Sequence, residues 1–237
     1  MSVVEVKDLV KKFGSVEAVK GISFTIDKGE IFGLIGPNGA GKTTTLRIIS
    51  TLLTATSGSV KISGFDLHKN PGEIRKIISY LPEDAGVYKN LTGRGYLEFI
   101  ANFFNTKQTR DMVSKGIEIA DLGERINDRV DTYSKGMKRR LLVGRTLMTN
   151  PKLAILDEPT SGLDVINAQE IRRIIKNTTQ GGTTVLLSSH NMLEVEFLCD
   201  RIALIDDGLI VEEGKPRVLM EKYHASNIEE VFTRVVG

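Results

Sequence analysis

The sequence GPNGAGKTT, residues 36–44, decides the fold of this 237-residue chain. It fits the pattern of a glycine, four further residues, a second glycine, a lysine and a serine or threonine. The apolar run at 31–35 predicts a buried strand before it, and a helical pattern from about Lys42 to Leu53 follows it. Glycines in such a strand-to-helix loop let successive backbone N–H groups surround a phosphate, and the amino end of the helix adds partial positive charge. The stretch therefore predicts a phosphate-binding loop.

The loop supplies most of the candidate nucleotide-binding residues. Lys42 is expected to reach the β- and γ-phosphates and to take part in catalysis, and the Thr43 hydroxyl is expected to bind Mg²⁺. The alternative is a tight strand-to-helix turn that binds nothing, but every position of the pattern is filled in the expected context. The candidates are Gly36, Pro37, Asn38, Gly39, Ala40, Gly41, Lys42, Thr43 and Thr44.

Two carboxylates end a second apolar run, at 153–156. Asp157 is expected to hold the metal as a hard oxygen ligand, and Glu158 to polarise the attacking water as a general base. The alternative is an acidic turn after a strand, and the phosphate-binding loop in the same chain argues against it. His190 follows a strand predicted at 183–187 and can contact the γ-phosphate and orient the water. A histidine at a strand end can also be structural.

Strands alternate with helices along most of the chain, which predicts an α/β fold. We expect a P-loop NTPase core with a mostly parallel sheet, an N-terminal antiparallel β subdomain and an inserted α-helical subdomain. Residues 1–237 are read as a single domain, 84–150 as the insertion and 215–237 as short C-terminal helices. Asn191 is predicted to cap a helix that reaches Cys199.

Composition limits the classes of function. Hydrophobic residues make up 41% and charged residues 26%, as in ordinary globular proteins. A net charge of +2 gives no reason to expect nucleic-acid binding. The single cysteine, Cys199, excludes an internal disulfide and indicates a reducing compartment. No run approaches the roughly 20 apolar residues of a membrane-crossing helix. We therefore expect a cytoplasmic protein that reaches a membrane only through a partner.

Taken together and in order, the motifs resemble those of the nucleotide-binding subunit of an ABC transporter. YSKGM at 133–137 resembles the signature sequence of that family, usually written LSGGQ. SGLD at 161–164 resembles its D-loop, and SSH at 188–190 resembles its switch histidine. Phe13 stands where the family places an aromatic ring against adenine, and Ala18 would pack beside that ring.

The resemblance implies that two subunits face head to tail and enclose two ATP molecules. Ser134 and the Gly136 backbone N–H would then contact the γ-phosphate held by the other subunit, and Asp164 would belong to the same shared site. The implied cofactors are ATP and Mg²⁺. The implied partners are a second ATPase subunit, identical or different, and a separate transmembrane permease at the inner face of the cell membrane.

Three positions depart from the family pattern. Lys135 replaces a glycine of the signature and is expected to point to solvent, and Met137 replaces its glutamine. Glu83 stands where the family usually has a glutamine that senses Mg²⁺, so the candidate metal ligands are Thr43, Asp157 and Glu83. These departures resemble the ATPases of ABC-2-type exporters.

The resemblance also places a groove for a helix of the membrane subunit beside the helical block. The candidates for its wall are Val87, Tyr88, Tyr96, Phe99 and Phe103, although the last three can equally form the subdomain core. The basic triplet Lys138, Arg139 and Arg140 is expected to be a solvated helix face. The alternative function is a soluble ABC ATPase with a non-transport role. Such members are expected to carry a second ATPase half or a long coiled-coil insertion, and the sequence contains neither.

Overall fold

A computed structural model describes residues 1–104 and 108–236. The strands are β1 Ser2–Phe13, β2 Val16–Asp27, β3 Ile31–Ile35, β4 Ser57–Ile62, β5 Phe65–Asp66, β6 Ile78–Leu81, β7 Leu153–Asp157, β8 Thr184–Ser189, β9 Arg201–Asp206 and β10 Leu209–Gly214. The α-helices are α1 Lys42–Ile49, α2 Pro71–Ile77, α3 Gly93–Ala101, α4 Thr109–Ala120, α5 Lys135–Leu147, α6 Val165–Gln180, α7 Met192–Val195, α8 Pro216–Lys222 and α9 Ile228–Val236.

The larger sheet has the strand order β10-β9-β3-β8-β7-β6. Its strands from β9 to β6 are parallel, and β10 pairs antiparallel at one edge. Every residue of β3, β7 and β8 is buried, as expected for strands covered on both faces. The register pairs Ile35 with Ser189 and Asp157 with Ser188, so the carboxyl ends of β3, β7 and β8 meet at one edge. This confirms the predicted parallel core and gathers the predicted site residues there.

The smaller sheet, β2-β1-β4-β5, is antiparallel throughout and confirms the predicted N-terminal sheet. Val4 and Val6 of β1 are buried, in the alternating pattern of a strand with one face on the core. The rings of Phe24 and Phe32 stack with centroids 5.3 Å apart and join the two sheets in one core.

Helices α3, α4 and α5 lie between β6 and β7 in the chain, where the sequence predicted a helical insertion. A Cβ at Gly144 would lie 2.6 Å from the carbonyl oxygen of Gly116, so these glycines let α4 and α5 approach closely. Tyr96 and Leu97 of α3 are buried in the core that these helices share with the sheet. None of the helices in the described residues has the length and apolar character needed to cross a bilayer.

Two predicted helices end earlier than expected. α1 stops at Ile49, not near Leu53, and Thr51 adopts a left-handed φ of 64° that breaks the helix. The helix predicted to reach Cys199 ends at Val195. Beyond Val195 the chain forms a turn in which the Leu198 and Cys199 N–H groups donate to the Val195 carbonyl. Asp200, whose N–H donates to the Ile31 carbonyl and whose carboxylate accepts the Ile31 N–H at 2.8 Å, then leads into β9.

Candidate active site

Glycines shape the loop between β3 and α1. Gly39 and Gly41 have φ values of 86° and 103°, which residues with a side chain rarely adopt. A Cβ on Gly36 would lie 2.0 Å from the Ile205 carbonyl oxygen, and one on Gly41 would lie 2.5 Å from that of Ala18. The glycine pattern therefore reflects a backbone that is pressed against β9 and β2 and coiled tightly enough to surround an anion.

Lys42 begins α1 and is only 5% exposed. Its Nζ donates to the carbonyl oxygens of Gly36 at 2.7 Å and Pro37 at 3.0 Å, and lies 3.5 Å from Glu158 Oε1. That Oε1 is buried and has no hydrogen-bond partner in the described structure. A phosphate offers the ammonium a stronger, charged acceptor than two carbonyls. The cradle and the lysine therefore fit a nucleotide phosphate.

Three hydroxyl groups hold the buried carboxylate of Asp157. Thr43 Oγ1 and Ser188 Oγ donate to Oδ1 at 3.2 Å and 2.6 Å, and the Tyr80 hydroxyl donates to Oδ2 at 3.2 Å. Burial, together with the charge of Asp157, raises the pKa of Tyr80 to about 12, so this hydroxyl stays protonated at neutral pH. The structure thus joins Thr43 and Asp157, two of the predicted metal ligands.

Sequence reasoning missed the roles of Tyr80 and Ser188. They lie on β6 and β8, the strands that flank β7 in the sheet. The register pairs Ser188 directly with Asp157. Only the strand order brings these hydroxyls to Asp157, and strand order cannot be read from motif spacing.

Glu158 stands between two cationic or ionisable groups. Its Oε2 lies 2.9 Å from His190 Nδ1, and its Oε1 faces Lys42. Its φ is 47°, and its N–H donates to Ser188 Oγ at 3.0 Å. Glu158 is 5% exposed, whereas the His190 side chain is 45% exposed. The three predicted catalytic residues therefore meet at one carboxylate.

A cavity of about 130 Å³ lies beside this carboxylate. Its lining residues are Ala18, Asn38, Gly39, Gly41, Lys42, Thr43, Thr44, Glu83 and Glu158. Glu83 Oε1 accepts a hydrogen bond from Ser161 Oγ at 3.3 Å. Within residues 1–104 and 108–236, no three His, Cys, Asp or Glu side chains form a ready metal site. The oxygen donors of Thr43 and Asp157, 3.2 Å apart, fit Mg²⁺, which typically completes its ligands with phosphate oxygens and water.

Phe13 lies at the end of β1, 50% exposed, with Lys11 Nζ 4.9 Å from the centre of its ring. It is not among the described residues that line the cavity, whereas Ala18 is. Because half of the Phe13 ring is exposed, the ring is available to stack on a base. Its contact with adenine stays a prediction.

Ser134, Gly136 and Asp164 lie at the beginnings of two helices. Ser134 caps α5 by accepting the Met137 N–H at 3.2 Å, and Asp164 caps α6 by accepting the Asn167 N–H at 2.9 Å. That bond holds the pKa of Asp164 below its usual value. A Cβ on Gly136 would lie 2.1 Å from Asn167 Oδ1, so a side chain there would displace the Asn167 amide, which donates to Asp164 at 2.6 Å. These three residues were predicted to belong to a site shared with a second subunit, and none of them is among the described residues that line the 130 Å³ cavity.

The structure decides two expectations about basic residues. Lys135 is exposed, as expected, although its Nζ lies beside the neighbouring loop, 2.2 Å from where a Cβ on Gly162 would be. Arg139 is not on a solvated face, because it is 7% exposed and donates to the Pro159 carbonyl at 2.7 Å. Leu142 and Thr146, three and seven residues later, are buried on the same face. This helical periodicity was the sequence signal that could have predicted the burial of Arg139.

Comparison with known proteins agrees with this geometry. The family described as ABC transporter matches residues 19–161. Linearmycin resistance ATP-binding protein LnrL of Bacillus subtilis is 39% identical over 212 residues, which are 89% of this chain and 68% of that protein. Nod factor export ATP-binding protein I of Rhizobium etli is 33% identical over 234 residues, 98% of this chain and 74% of that protein.

A solved structure shares the fold. It is a dimeric ATP-binding cassette in a post-hydrolysis state with ADP and phosphate, with a TM-score of 0.77 and 28% identity over 90% of this chain and 98% of that one. The fold and the phosphate-binding loop define an ATP-binding cassette. The chain belongs to the ABC transporter family, and it is an ATP-binding, ATP-hydrolysing subunit.

Proposed function

We propose that this ATPase drives export of a substrate through a separate permease in the membrane, and that it hydrolyses ATP in a site completed by a second ATPase subunit. The observation that carries the proposal is that the motifs expected in one ATP site lie at two separate places in the chain's structure. Lys42, Glu158 and His190 meet at one carboxylate, whereas Ser134 and Gly136 lie at another helix start, outside the cavity. A second copy placed head to tail would supply the missing donors.

The chain's own residues have defined roles in hydrolysis. Lys42 exchanges its two carbonyl partners for phosphate oxygens, and Glu158 accepts a proton from the attacking water. His190, 2.9 Å from Glu158, holds that carboxylate in place and orients the water. Thr43, Asp157 and Glu83 are the residues that would hold Mg²⁺. When bound, Mg²⁺ neutralises charge on the phosphates.

The dimer supplies the opposing half of the site. Ser134 is exposed, so its hydroxyl is accessible to a nucleotide on another subunit even though it caps α5. Asp164 precedes Val165 and Ile166, which are 78% and 75% exposed. The dimeric state of the related cassette that holds ADP and phosphate supports this arrangement. Backbone and hydroxyl donors aimed at the γ-phosphate stabilise the charge that develops during transfer.

The proposed permease contact is a cleft of about 980 Å³ beside the helical block 84–150, which we propose as a subdomain. Its lining includes Arg75, Lys76, Phe103, Met112, Lys115 and Arg145. Among the described residues, four basic side chains and one acidic side chain, Asp111, line the cleft together with apolar ones, so it fits a partner helix with apolar and mainly acidic side chains. Tyr96 is 1% exposed and belongs to the core, which corrects its place in the groove wall. Tyr88, Phe99 and Phe103 remain candidates for the groove wall, with successive ring centroids 5.2 Å apart, and of these three Phe103 lines the cleft whereas Tyr88 and Phe99 lie outside it.

Export through an ABC-2-type system is supported by the names of the relatives, one of which confers linearmycin resistance and one of which exports Nod factor. The chain would then lie at the cytoplasmic face of the membrane, held there by its permease. A soluble ABC ATPase with a non-transport role is the alternative, and it predicts no such attachment.

The experiment on the catalytic site uses Glu158→Gln, which keeps the shape of the side chain and removes its basicity. We expect this variant to bind ATP, to hydrolyse it hardly at all, and to form an ATP-dependent dimer in light scattering. Glu124→Gln, at an exposed position away from the cavity, serves as the control. Unchanged turnover in Glu158→Gln would remove this residue from its role.

The experiment on the permease uses membranes from cells that express the tagged chain with its permease. Phe103→Asp is expected to release the chain from washed membranes into the soluble fraction. Phe197→Asp is the matched control, because both rings are 72% exposed and Phe197 does not line the 980 Å³ cleft. Equal retention of native chain and Phe103→Asp would contradict this docking site. Failure of the native chain to sediment with those membranes would favour the soluble alternative.

A further inference from the structure

Arg139 is a buried cation that the proposed mechanism does not use. It lies on α5, 7% exposed, and its Nε donates to the Pro159 carbonyl at 2.7 Å. Its Nη1 donates to the carbonyl of Glu83 at 3.2 Å, and its Nη2 donates to the carbonyl of Glu158. The guanidinium therefore reaches both loops that carry the carboxylates lining the cavity.

The partners of this guanidinium are unusual for a buried charge. In the described part of the chain its hydrogen bonds all go to backbone carbonyls, and it forms no ion pair within 4.0 Å. Burial lowers the pKa of Arg139, and the more distant charges of Glu83, Asp157 and Glu158 oppose that effect. Burying a charge is costly unless hydrogen bonds compensate it. A planar fork with five N–H donors can satisfy several carbonyls at once, which a lysine ammonium on its flexible stem cannot do in the same geometry.

The backbone of Glu158 shows what those bonds hold. A φ of 47° at a non-glycine residue is disfavoured, and it persists only where the surroundings fix it. Three contacts fix this peptide segment: the Glu158 N–H donates to Ser188 Oγ, and the Glu158 carbonyl accepts from the Ser161 N–H at 3.1 Å and from Arg139. Without Arg139 this carbonyl would keep the local bond from Ser161 but lose its tie to α5, so the turn and its carboxylate would be free to shift relative to Lys42 and His190.

We propose that Arg139 is a positioning residue that fixes Glu158 for catalysis and ties it to the Glu83 loop and to the helix that Ser134 begins. The link is short, because Arg139 lies five residues after Ser134 on one rigid helix. A shift of α5 therefore moves the guanidinium and the two loop backbones with it. The inference rests on the roles given to Glu158 and Ser134 in the proposed function.

The test compares Arg139→Lys and Arg139→Gln with Arg140→Lys in the full chain. Arg140 is the matched control, because it lies on the same helix and donates to the Asp121 carbonyl at 2.8 Å, away from the cavity. For each protein, kcat and KM for ATP, binding of a fluorescent ATP analogue to the monomer, and the melting temperature are measured. Arg139→Gln carries no buried charge and so covers the case in which the lysine variant fails to fold.

We expect both Arg139 variants to lose about 10–100-fold in kcat, because small displacements of a catalytic group have effects of this size. KM and monomer binding should stay within about twofold of the native values, because Lys42 and the phosphate loop are untouched. Arg140→Lys should keep the native kcat. Arg139→Lys should not retain the native kcat, because the planar geometry of the guanidinium is required and not its charge alone.

Several results would overturn the proposal. A kcat within about twofold of native in Arg139→Lys would show that the fork is dispensable. Parallel losses of monomer ATP binding and melting temperature, or failure of both variants to fold, would make Arg139 merely structural. Native hydrolysis by Glu158→Gln would instead refute the proposed function itself, so the two failures are distinguishable.

Discussion

His190 Nδ1 lies 2.9 Å from one oxygen of Glu158, and the other oxygen of that carboxylate faces Lys42 Nζ at 3.5 Å. The Glu158 carboxylate therefore has a fixed orientation within the chain itself. Three residues from separate elements, at the start of α1 and after β7 and β8, meet here because the strands that carry them are adjacent in the sheet. The contacts of this carboxylate determine what each substitution should do.

Replacing His190 should separate chemistry from binding. In His190→Ala, Glu158 loses the contact to Oε2, and we expect kcat to fall about 100-fold or more, within the usual range for groups that assist proton transfer. Binding of ATP should change little, because the phosphate loop keeps Lys42. Steady-state ATPase assays and a fluorescent nucleotide titration measure the two quantities. His68→Ala, at an exposed position, is the control, and a native rate for His190→Ala would show that the contact is incidental.

Replacing Glu83 by glutamine should be tolerated. The amide oxygen of Gln can still accept the Ser161 hydroxyl that Glu83 Oε1 accepts at 3.3 Å. An amide oxygen is also a metal ligand, although an uncharged one. We expect most ATPase activity to remain, with a modestly higher Mg²⁺ requirement, in assays that vary Mg²⁺ at fixed ATP. Complete loss of activity would mean that the carboxylate itself is essential.

Removing the Tyr80 hydroxyl should weaken the use of Mg²⁺ without disturbing the fold. Tyr80→Phe deletes the donor to Asp157 Oδ2, and the loss of one such hydrogen bond should raise the Mg²⁺ concentration for half-maximal activity about two- to tenfold. Nucleotide binding in excess chelator should not change.

The control for this variant is Tyr133→Phe, which removes a hydroxyl bonded to the Arg125 carbonyl at 2.5 Å. If both phenylalanine variants show the same Mg²⁺ dependence as the native protein, Tyr80 does not orient Asp157 for metal binding.

Local sequence patterns predicted the elements that carry the chemistry. The apolar runs at 31–35 and 153–156 lie in strands, and the glycine pattern at 36–44 lies in the loop between strand and helix. The P-loop could be predicted from the spacing of its glycines, because that spacing specifies a local backbone conformation. The motifs alone placed Lys42 and Glu158 in one nucleotide site, and the structure adds that the two side chains lie 3.5 Å apart.

Contacts that depend on tertiary packing were beyond the sequence. Tyr80 and Ser188 reach Asp157 only through the order of the strands, and Asp200 bonds to Ile31 across a separation of 169 residues. Arg139 looked solvated because it sits in a basic triplet, yet its helical face is buried. The positive charge of Arg139 suggested an exposed side chain. The residue is buried instead, because its guanidinium donates to several loop carbonyls.

The mixing of two inactive variants tests the central claim, a site shared between subunits, most directly. Ser134→Arg should be unable to close over the nucleotide of its partner, and Glu158→Gln should be unable to hydrolyse its own. Each variant alone should have almost no ATPase activity, while its monomer still binds ATP.

In an equal mixture, half of the dimers should pair one chain of each kind, and each such dimer should contain one intact site. That site combines Glu158 of the Ser134→Arg chain with Ser134 of the Glu158→Gln chain. We predict that mixing restores about a quarter of the native rate, as expected for random pairing in a twofold-symmetric dimer with two independent sites. A mixture as inactive as its components, with mixed dimers shown to form, would contradict the shared site and place all of catalysis within one chain.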